Sequence, residues 1–368
     1  MHVDLWGWFN EERRRAIMGG NSLKYQMTQH YYNGWDAMRA ERGDEAVSHF
    51  MMGLDIAKKL NEPCWDLFFE YWCSEAYVFV VNDYQKALEY IVQTSARAHK
   101  PQYIQCPVRA RVYYTLMHIY YETDVLGYEE KIREIIKYME DDIPLDDDTA
   151  YRLQYKKASL AYDLEDYATA KQELAHYMSL VVNNAHRQTS GFSLQSLLDY
   201  TAGDLQSALE NSIQTEKNAR IAKLERSVIN AMLRQATLHH RMGNIDEADE
   251  LYYRGLAYQK QFGVNSMPYH YNAVCEYLEI AVDAEQALKL REESLETIPK
   301  FGSPDYTTSA HLSYCQLLGR MGRDTTHALK QAREAAKLLI KPARYLSKLQ
   351  DVENGNYYQY EWQKNDGS

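Results

Sequence analysis

The chain has 368 residues, 41 Lys and Arg against 52 Asp and Glu, a formal net charge of -11 and 45% hydrophobic residues. An anionic average surface argues against a protein that lives by phosphate contacts, so nucleic-acid binding is a minority reading. The longest apolar run, Ala76 to Val81, is far too short to span a bilayer. Asp4 and Glu11-Glu12-Arg13-Arg14-Arg15 rule out a signal peptide at the amino terminus, no Asn-x-Ser/Thr acceptor occurs, and a cytoplasmic location is the expectation.

In chain order, residues 1–24 read as a capping helix, in which Leu5-Trp6-Gly7-Trp8-Phe9 covers the exposed end of an array. Residues 25–340 carry a recurring motif, a turn with Gly or Asp followed by a small residue that opens an amphipathic stretch. Its small residues are Ala46, Ala87, Ala170, Ala208, Ala248, Ala287 and Ala328, with gaps of 41, 83, 38, 40, 39 and 41. The gap of 83 is two periods, and the missing member falls at Gly127-Tyr128-Glu129-Glu130-Lys131. A period near 40 over eight repeats predicts an all-α solenoid of helix pairs, since no single pair can bury its apolar face alone.

Within each repeat a helix A precedes the turn, as in Met27–Glu41, Asp66–Val81 and Ser227–Met242, and a helix B follows it, as in Glu45–Leu60, Tyr84–Ala98 and Ile245–Phe262. Gly or Asn-Asp supplies the reversal through a left-handed or side-chain-capped conformation. Ala248, Leu251, Tyr252, Gly255 and Leu256 fall at three- and four-residue spacings, the stripe of a half-buried helix. The last segment, residues 341–368, carries Tyr345, Leu346, Leu349, Val352, Tyr357, Tyr358, Tyr360 and Trp362, enough for a second cap, and Asn365 to Ser368 reads as a disordered tail.

Ala46, Phe50 and Gly53 in the first repeat, and Ala248, Tyr252 and Gly255 in the sixth, resemble the helix-B signature of the tetratricopeptide repeat family. Helix A matches it in patches, with Tyr32, Trp35 and Tyr71. Repeats near 40 residues look like the longer-helix branch, found in kinesin light chain, in bacterial transcription activators with helical sensor domains and in peptide-pheromone receptors of Gram-positive bacteria. The resemblance covers about residues 25–340 and implies the fold, a right-handed superhelical solenoid of about eight antiparallel helix pairs, with function left to the site.

In that family the inner, concave face is lined by set positions of helix A. The register selects Arg152, Tyr155, Lys156, Ser159 and Tyr162 in the fourth repeat, and Asn230, Leu233, Arg234, Thr237, His240 and Arg241 in the sixth. In the seventh it selects Tyr269, Asn272, Ala273, Glu276 and Glu279. Of these, Arg152, Lys156, Tyr162, Asn230, Arg234, Thr237, Tyr269, Asn272 and Glu276 are the candidate binding residues. Asn can bond both the carbonyl and the amide of an extended peptide, and Arg234 or the Arg152-Lys156 pair can hold a carboxylate. An ordinary hydrated inner face is the competing reading.

Other features read as structure. Cys64, Cys73, Cys106, Cys275 and Cys315 are odd in number and mostly sit in apolar helical stretches, so they read as reduced structural thiols. Lys217, Arg220, Lys223 and Arg226 are interleaved with Glu216 and Glu225 as a solvated edge. Asp146 to Asp148 read as helix caps and not as a calcium loop. His239 and His240 point about 100 degrees apart on a helix and cannot share a metal. The 32 tyrosines include five adjacent pairs, and one member of each must lie on an edge or on the inner wall.

No His-Glu-x-x-His, phosphate-binding loop, Gly-x-Ser-x-Gly or metal-spaced Cys pair occurs, so no cofactor, metal or catalytic residue is expected. The leading expectation is a non-catalytic scaffold or adaptor that binds a protein or peptide partner. The alternative is a ligand-sensing receptor whose superhelix compacts on binding.

Overall fold

The computed structural model describes residues 5–81, 83–262, 268–281 and 283–357, without the side chains of 262, 268–273 and 301. Its helices pair in chain order after a leading helix α1 (Leu5–Met18). The pairs are α2 (Ser22–Arg39) with α3 (Gly43–Leu60), α4 (Pro63–Ala76) with α5 (Tyr84–Ala98), α6 (Arg109–Asp124) with α7 (Glu129–Asp142), and α8 (Asp147–Asp163) with α9 (Tyr167–Leu180). They continue as α10 (Ala185–Thr201) with α11 (Leu205–Ala222), α12 (Glu225–Arg241) with α13 (Ile245–Phe262), α14 (Pro268–Ile280) with α15 (Ala284–Thr297), and α16 (Pro304–Arg320) with α17 (Thr326–Ala336). A last helix, α18 (Ala343–Glu353), follows. The even-numbered helices of the eight pairs are the A helices.

The motif works as its chemistry requires. Ala46, Ala87, Ala170, Ala208, Ala248 and Ala287 are 0% exposed and Ala328 is 3% exposed, so each sits where two helices touch. Asp83, Asp166, Asp204 and Asp283 cap the B helices, accepting from the backbone N–H of Lys86, Thr169, Ser207 and Gln286. Gly203 (φ 81°) and Gly243 (φ 83°) turn the chain in the left-handed region, but in the first and fourth repeats Glu41 (φ 57°) and Glu165 (φ 63°) do so instead. Gly43 has a different task. A Cβ there would stand 2.8 Å from the Val81 side chain and 3.3 Å from its backbone nitrogen, so Gly43 lets the chain pass close. Val81 closes a π-helical turn, Tyr77–Val81, in which the helix expected to run to Val81 widens after Ala76.

Contacts divide the chain into an N-terminal unit, Met1–Leu153 with Lys300–Ser303, and a C-terminal unit, Gln154–Pro299 with Pro304–Ser368. The core of the N-terminal unit is aromatic. Phe9 of α1 lies 4.7 Å from Tyr31 and 5.4 Å from Phe68, and Trp72 lies 5.2 Å from Trp35 and 5.8 Å from Phe50. Fully burying one such ring contributes about 1.5–3 kcal/mol. In the C-terminal unit Tyr252 stacks on Tyr277 at 4.5 Å within a cluster that includes Leu233, Leu317, Leu349 and Val352. Tyr31, Tyr113, Tyr120 and Tyr252 are buried while their neighbours Tyr32, Tyr114, Tyr121 and Tyr253 are more exposed. The Tyr113 hydroxyl donates to the Ser95 backbone carbonyl at 3.0 Å. Tyr358, Tyr360, Trp362 and Asn365 to Ser368 lie outside the described residues.

The cysteine expectation needs correcting. Cys64 at the start of α4 is disulfide-bonded to Cys106 before α6, with Cα atoms 5.1 Å apart and a sequence separation of 42. That separation is one repeat period, which sets equivalent positions of neighbouring repeats side by side. Cys73, Cys275 and Cys315 are free and buried. Burial pushes the Cys275 thiol up to about 11 and the Cys73 thiol up to about 12. No helix among the described residues is long and apolar enough to cross a membrane.

Candidate functional site

The A helices of each unit bring charged side chains together at one place. In the N-terminal unit, i to i+4 spacing aligns Tyr71 with Glu75 on α4, Arg111 with Thr115 on α6, and Asp148 with Arg152 on α8. Glu75 is 8% exposed and accepts a hydrogen bond from Thr115 Oγ1 at 2.7 Å. Arg111 reaches Asp146 at 3.2 Å and Asp148 at 3.5 Å, and Arg152 Nε bonds Asp148 at 2.9 Å. Aromatic faces support both cations, Trp6 under Arg111 at 5.7 Å and Tyr114 under Arg152 at 5.9 Å. Burial pushes the Glu75 carboxyl up, against the opposing pull of Thr115, Arg152, Arg111 and Tyr71.

In the C-terminal unit the corresponding group is Tyr200 on α10, Arg234 and Arg241 on α12, and Glu276 on α14. Tyr200 donates its hydroxyl to Glu276 Oε1 at 3.1 Å, and the Arg241 guanidinium lies 4.8 Å from the centre of the Tyr200 ring. Burial pushes the Glu276 carboxyl up, and Arg234, Tyr200 and Arg241 pull it back. Two guanidiniums therefore act on one carboxylate. The nearby Glu279 carboxylate pairs with Arg291 at 3.2 Å and with Arg320.

The nominated residues divide between these settings. Arg152 belongs to the N-terminal unit, where Asp148 already engages it. Lys156, in the C-terminal unit, is 6% exposed. The Tyr162 hydroxyl stands 3.4 Å from Thr201 Oγ1. Thr237 is 4% exposed and donates to the Leu233 carbonyl at 3.2 Å. Tyr269 and Asn272 lie on α14 with side chains outside the described residues. Arg234 and Glu276 are brought together. Asn230, one turn before Arg234, is partly buried like it. His240 packs edge-on against Tyr277 at 6.2 Å.

Glu75, Arg111, Thr115 and Tyr200 were not among the nominated residues. The available signal was the repeat period, since Glu75 and Thr115 are 40 residues apart and so occupy matching positions of adjacent A helices.

No protein-family model matches the sequence, and no curated protein matches it. Among solved structures the chain is similar to a Rap protein complexed with competence and sporulation factor. The TM-score is 0.56 at 10% identity, over 90% of this chain and 99% of that one. Aspartyl phosphate phosphatase F from Bacillus subtilis gives 0.49 at 15% identity, over 85% and 78% of the two chains. A signal transduction ATPase with a tetratricopeptide repeat sensor from Pyrococcus horikoshii gives 0.46 at 14% identity, over 86% of this chain and 51% of that one, so this chain spans about half its length. At such identities the likeness concerns the fold, and the first match, with its near-complete coverage of both chains, supports it. With eight helix pairs among the described residues and a buried small residue opening seven of the B helices, the chain is an all-α helical-repeat solenoid of the tetratricopeptide-repeat type.

Proposed function

We propose that the chain is a non-catalytic scaffold that binds a protein segment or peptide along the A-helix face of its C-terminal unit and thereby regulates a partner. The observation that carries this reading is the pair Asn230 and Arg234. They lie one turn apart on α12, both partly buried, beside the group in which Arg234 and Arg241 act on the Glu276 carboxylate that Tyr200 also engages. An acidic group of the partner would use the fork of donors on Arg234, and Asn230 would bond its backbone. Glu276 and Tyr200 would hold the guanidiniums in place. Lys156, Tyr162, Thr237, Tyr269 and Asn272 extend the proposed face by register, and Arg152 marks the corresponding face of the N-terminal unit. The proposed compartment is the cytoplasm; the Cys64–Cys106 bond weighs against it, because such bonds persist in oxidising compartments.

A second reading is a ligand-sensing receptor. It is favoured by the similar Rap structure, which was solved in complex with competence and sporulation factor. Affinity capture from the native host with the wild type and an Asn230→Ala/Arg234→Ala/Asn272→Ala variant, read by mass spectrometry, tests the face. A partner lost from a variant that melts like the wild type supports it, and identical partner lists overturn it. Solution scattering with the captured partner then separates the two readings: compaction supports the receptor and an unchanged profile the scaffold.

A further inference from the structure

His30 on α2 and His49 on α3 face each other across the first repeat. Their Nδ1 atoms are 3.3 Å apart and their ring centroids 5.6 Å apart, and both side chains are partly buried. Nitrogens at this distance serve in one of two ways. Either one neutral ring donates Nδ1–H to the lone pair of the other, or both lone pairs point to a shared electrophile. A tetrahedral ion with nitrogen ligands at about 2.0–2.1 Å holds those nitrogens about 3.3–3.4 Å apart, which matches the observed spacing.

The surroundings suit a cation. Glu45 lies one turn before His49 on α3, and Arg42 Nε holds its carboxylate at 2.6 Å. No set of three His, Cys, Asp or Glu side chains is already in place among the described residues. A bound ion would therefore keep water ligands and recruit Glu45 by a change of side-chain rotamer.

We propose that His30 and His49 form a binding site for a borderline divalent transition-metal ion, bridging the two helices of the first repeat, with Glu45 as an accessory ligand. Imidazole pairs suit zinc, copper and nickel, and zinc serves as the probe. Binding to the folded state alone would raise the melting temperature as zinc is added.

The test is calorimetric titration of the full chain with zinc chloride at neutral pH, together with melting curves with zinc and after EDTA. The expected result is one saturable site, a melting temperature raised by zinc and restored by EDTA, and loss of both in His49→Gln. His30→Gln, on the opposite helix, should show the same loss, so that a folding defect in one variant cannot imitate it. Glu45→Gln should bind more weakly than the wild type. Absence of zinc binding, or binding retained at the wild-type level in either histidine variant, overturns the site and leaves a histidine–histidine hydrogen bond only.

Discussion

Tyr200 on α10 donates a 3.1 Å hydrogen bond to Glu276 on α14, two repeats further along, and the helix between them supplies the arginines Arg234 and Arg241. The carboxylate is thereby fixed between a neutral donor and two cations, yet burial outweighs all three and its pKa lies above the ordinary value of 4.5. Glu75 in the N-terminal unit is raised from the same value by the same cause.

A carboxyl whose folded pKa exceeds its unfolded pKa binds more protons when folded. Its stabilising contribution is fully present below the unfolded value and is lost as pH rises through the folded one. Glu276→Gln and Glu75→Gln retain the shape and remove the titration. Each variant should therefore gain on the wild type as the pH of a urea melt is raised from about 4.5 to about 7. A gap between variant and wild type that stays constant over that window would refute the linkage.

The second prediction contrasts two ion pairs of the C-terminal unit. The Glu279 side chain is 1% exposed and its Arg291 partner 4% exposed, so removing the acid strands a cation in the core. Glu279→Ala should cost about 3–5 kcal/mol in denaturant melts. Glu285, 68% exposed, also pairs with an arginine, Arg323, but Glu285→Ala should cost about 0–1 kcal/mol, because water screens that pair. Equal costs at the two sites would show that Glu279 is not held as described.

The disulfide supplies the third. Linking Cys64 to Cys106 closes a loop across 42 residues, and on the chain-entropy account this stabilises by about 4 kcal/mol. Cys64→Ser and Cys106→Ser should each lower the melting temperature of the oxidised protein, and dithiothreitol should bring the wild type down to the same value. Cys73→Ser should leave that sensitivity to reductant intact. A wild type that melts identically with and without reductant would count against the bond.

The helix pairs were legible in the sequence because each turn announces itself locally. Ala170 and Asp166 need only their own neighbours, one to admit a facing helix and the other to cap its own. Helices α5 and α13 accordingly begin and end where the pattern puts them. What was missed depends on contacts one or two repeats away, and most of those recur at the repeat period. Glu75 meets Thr115 at a separation of 40, Tyr345 meets Asp305 at 40, Arg320 meets Glu279 at 41 and Cys106 meets Cys64 at 42. A helix pattern shows which residues face inward but says nothing of what they face. Glu279 was legible as inward-facing, yet the arginines that take it up lie on α15 and α16.

The last prediction separates two glycines with the same place in the repeat. Gly53 on α3 and Gly255 on α13 both follow the small opening residue by seven, and both lie inside helices, where Ala is favoured over Gly by about 0.5–1 kcal/mol. Their surroundings differ. A Cβ at Gly53 would run into the ring of Phe69, which is 0% exposed and enclosed by Trp65 and Phe68, whereas the nearest atom to a Cβ at Gly255 is Leu233 Cδ2 at 3.5 Å, an ordinary contact. Overpacking a tight core costs about 1–3 kcal/mol and exceeds the helical gain. Gly53→Ala should therefore destabilise the protein and Gly255→Ala should stabilise it by about 0.5–1 kcal/mol, both measured by urea unfolding. Stabilisation by both substitutions would show that the Phe69 ring can yield, and that Gly53 is not required for α3 and α4 to approach.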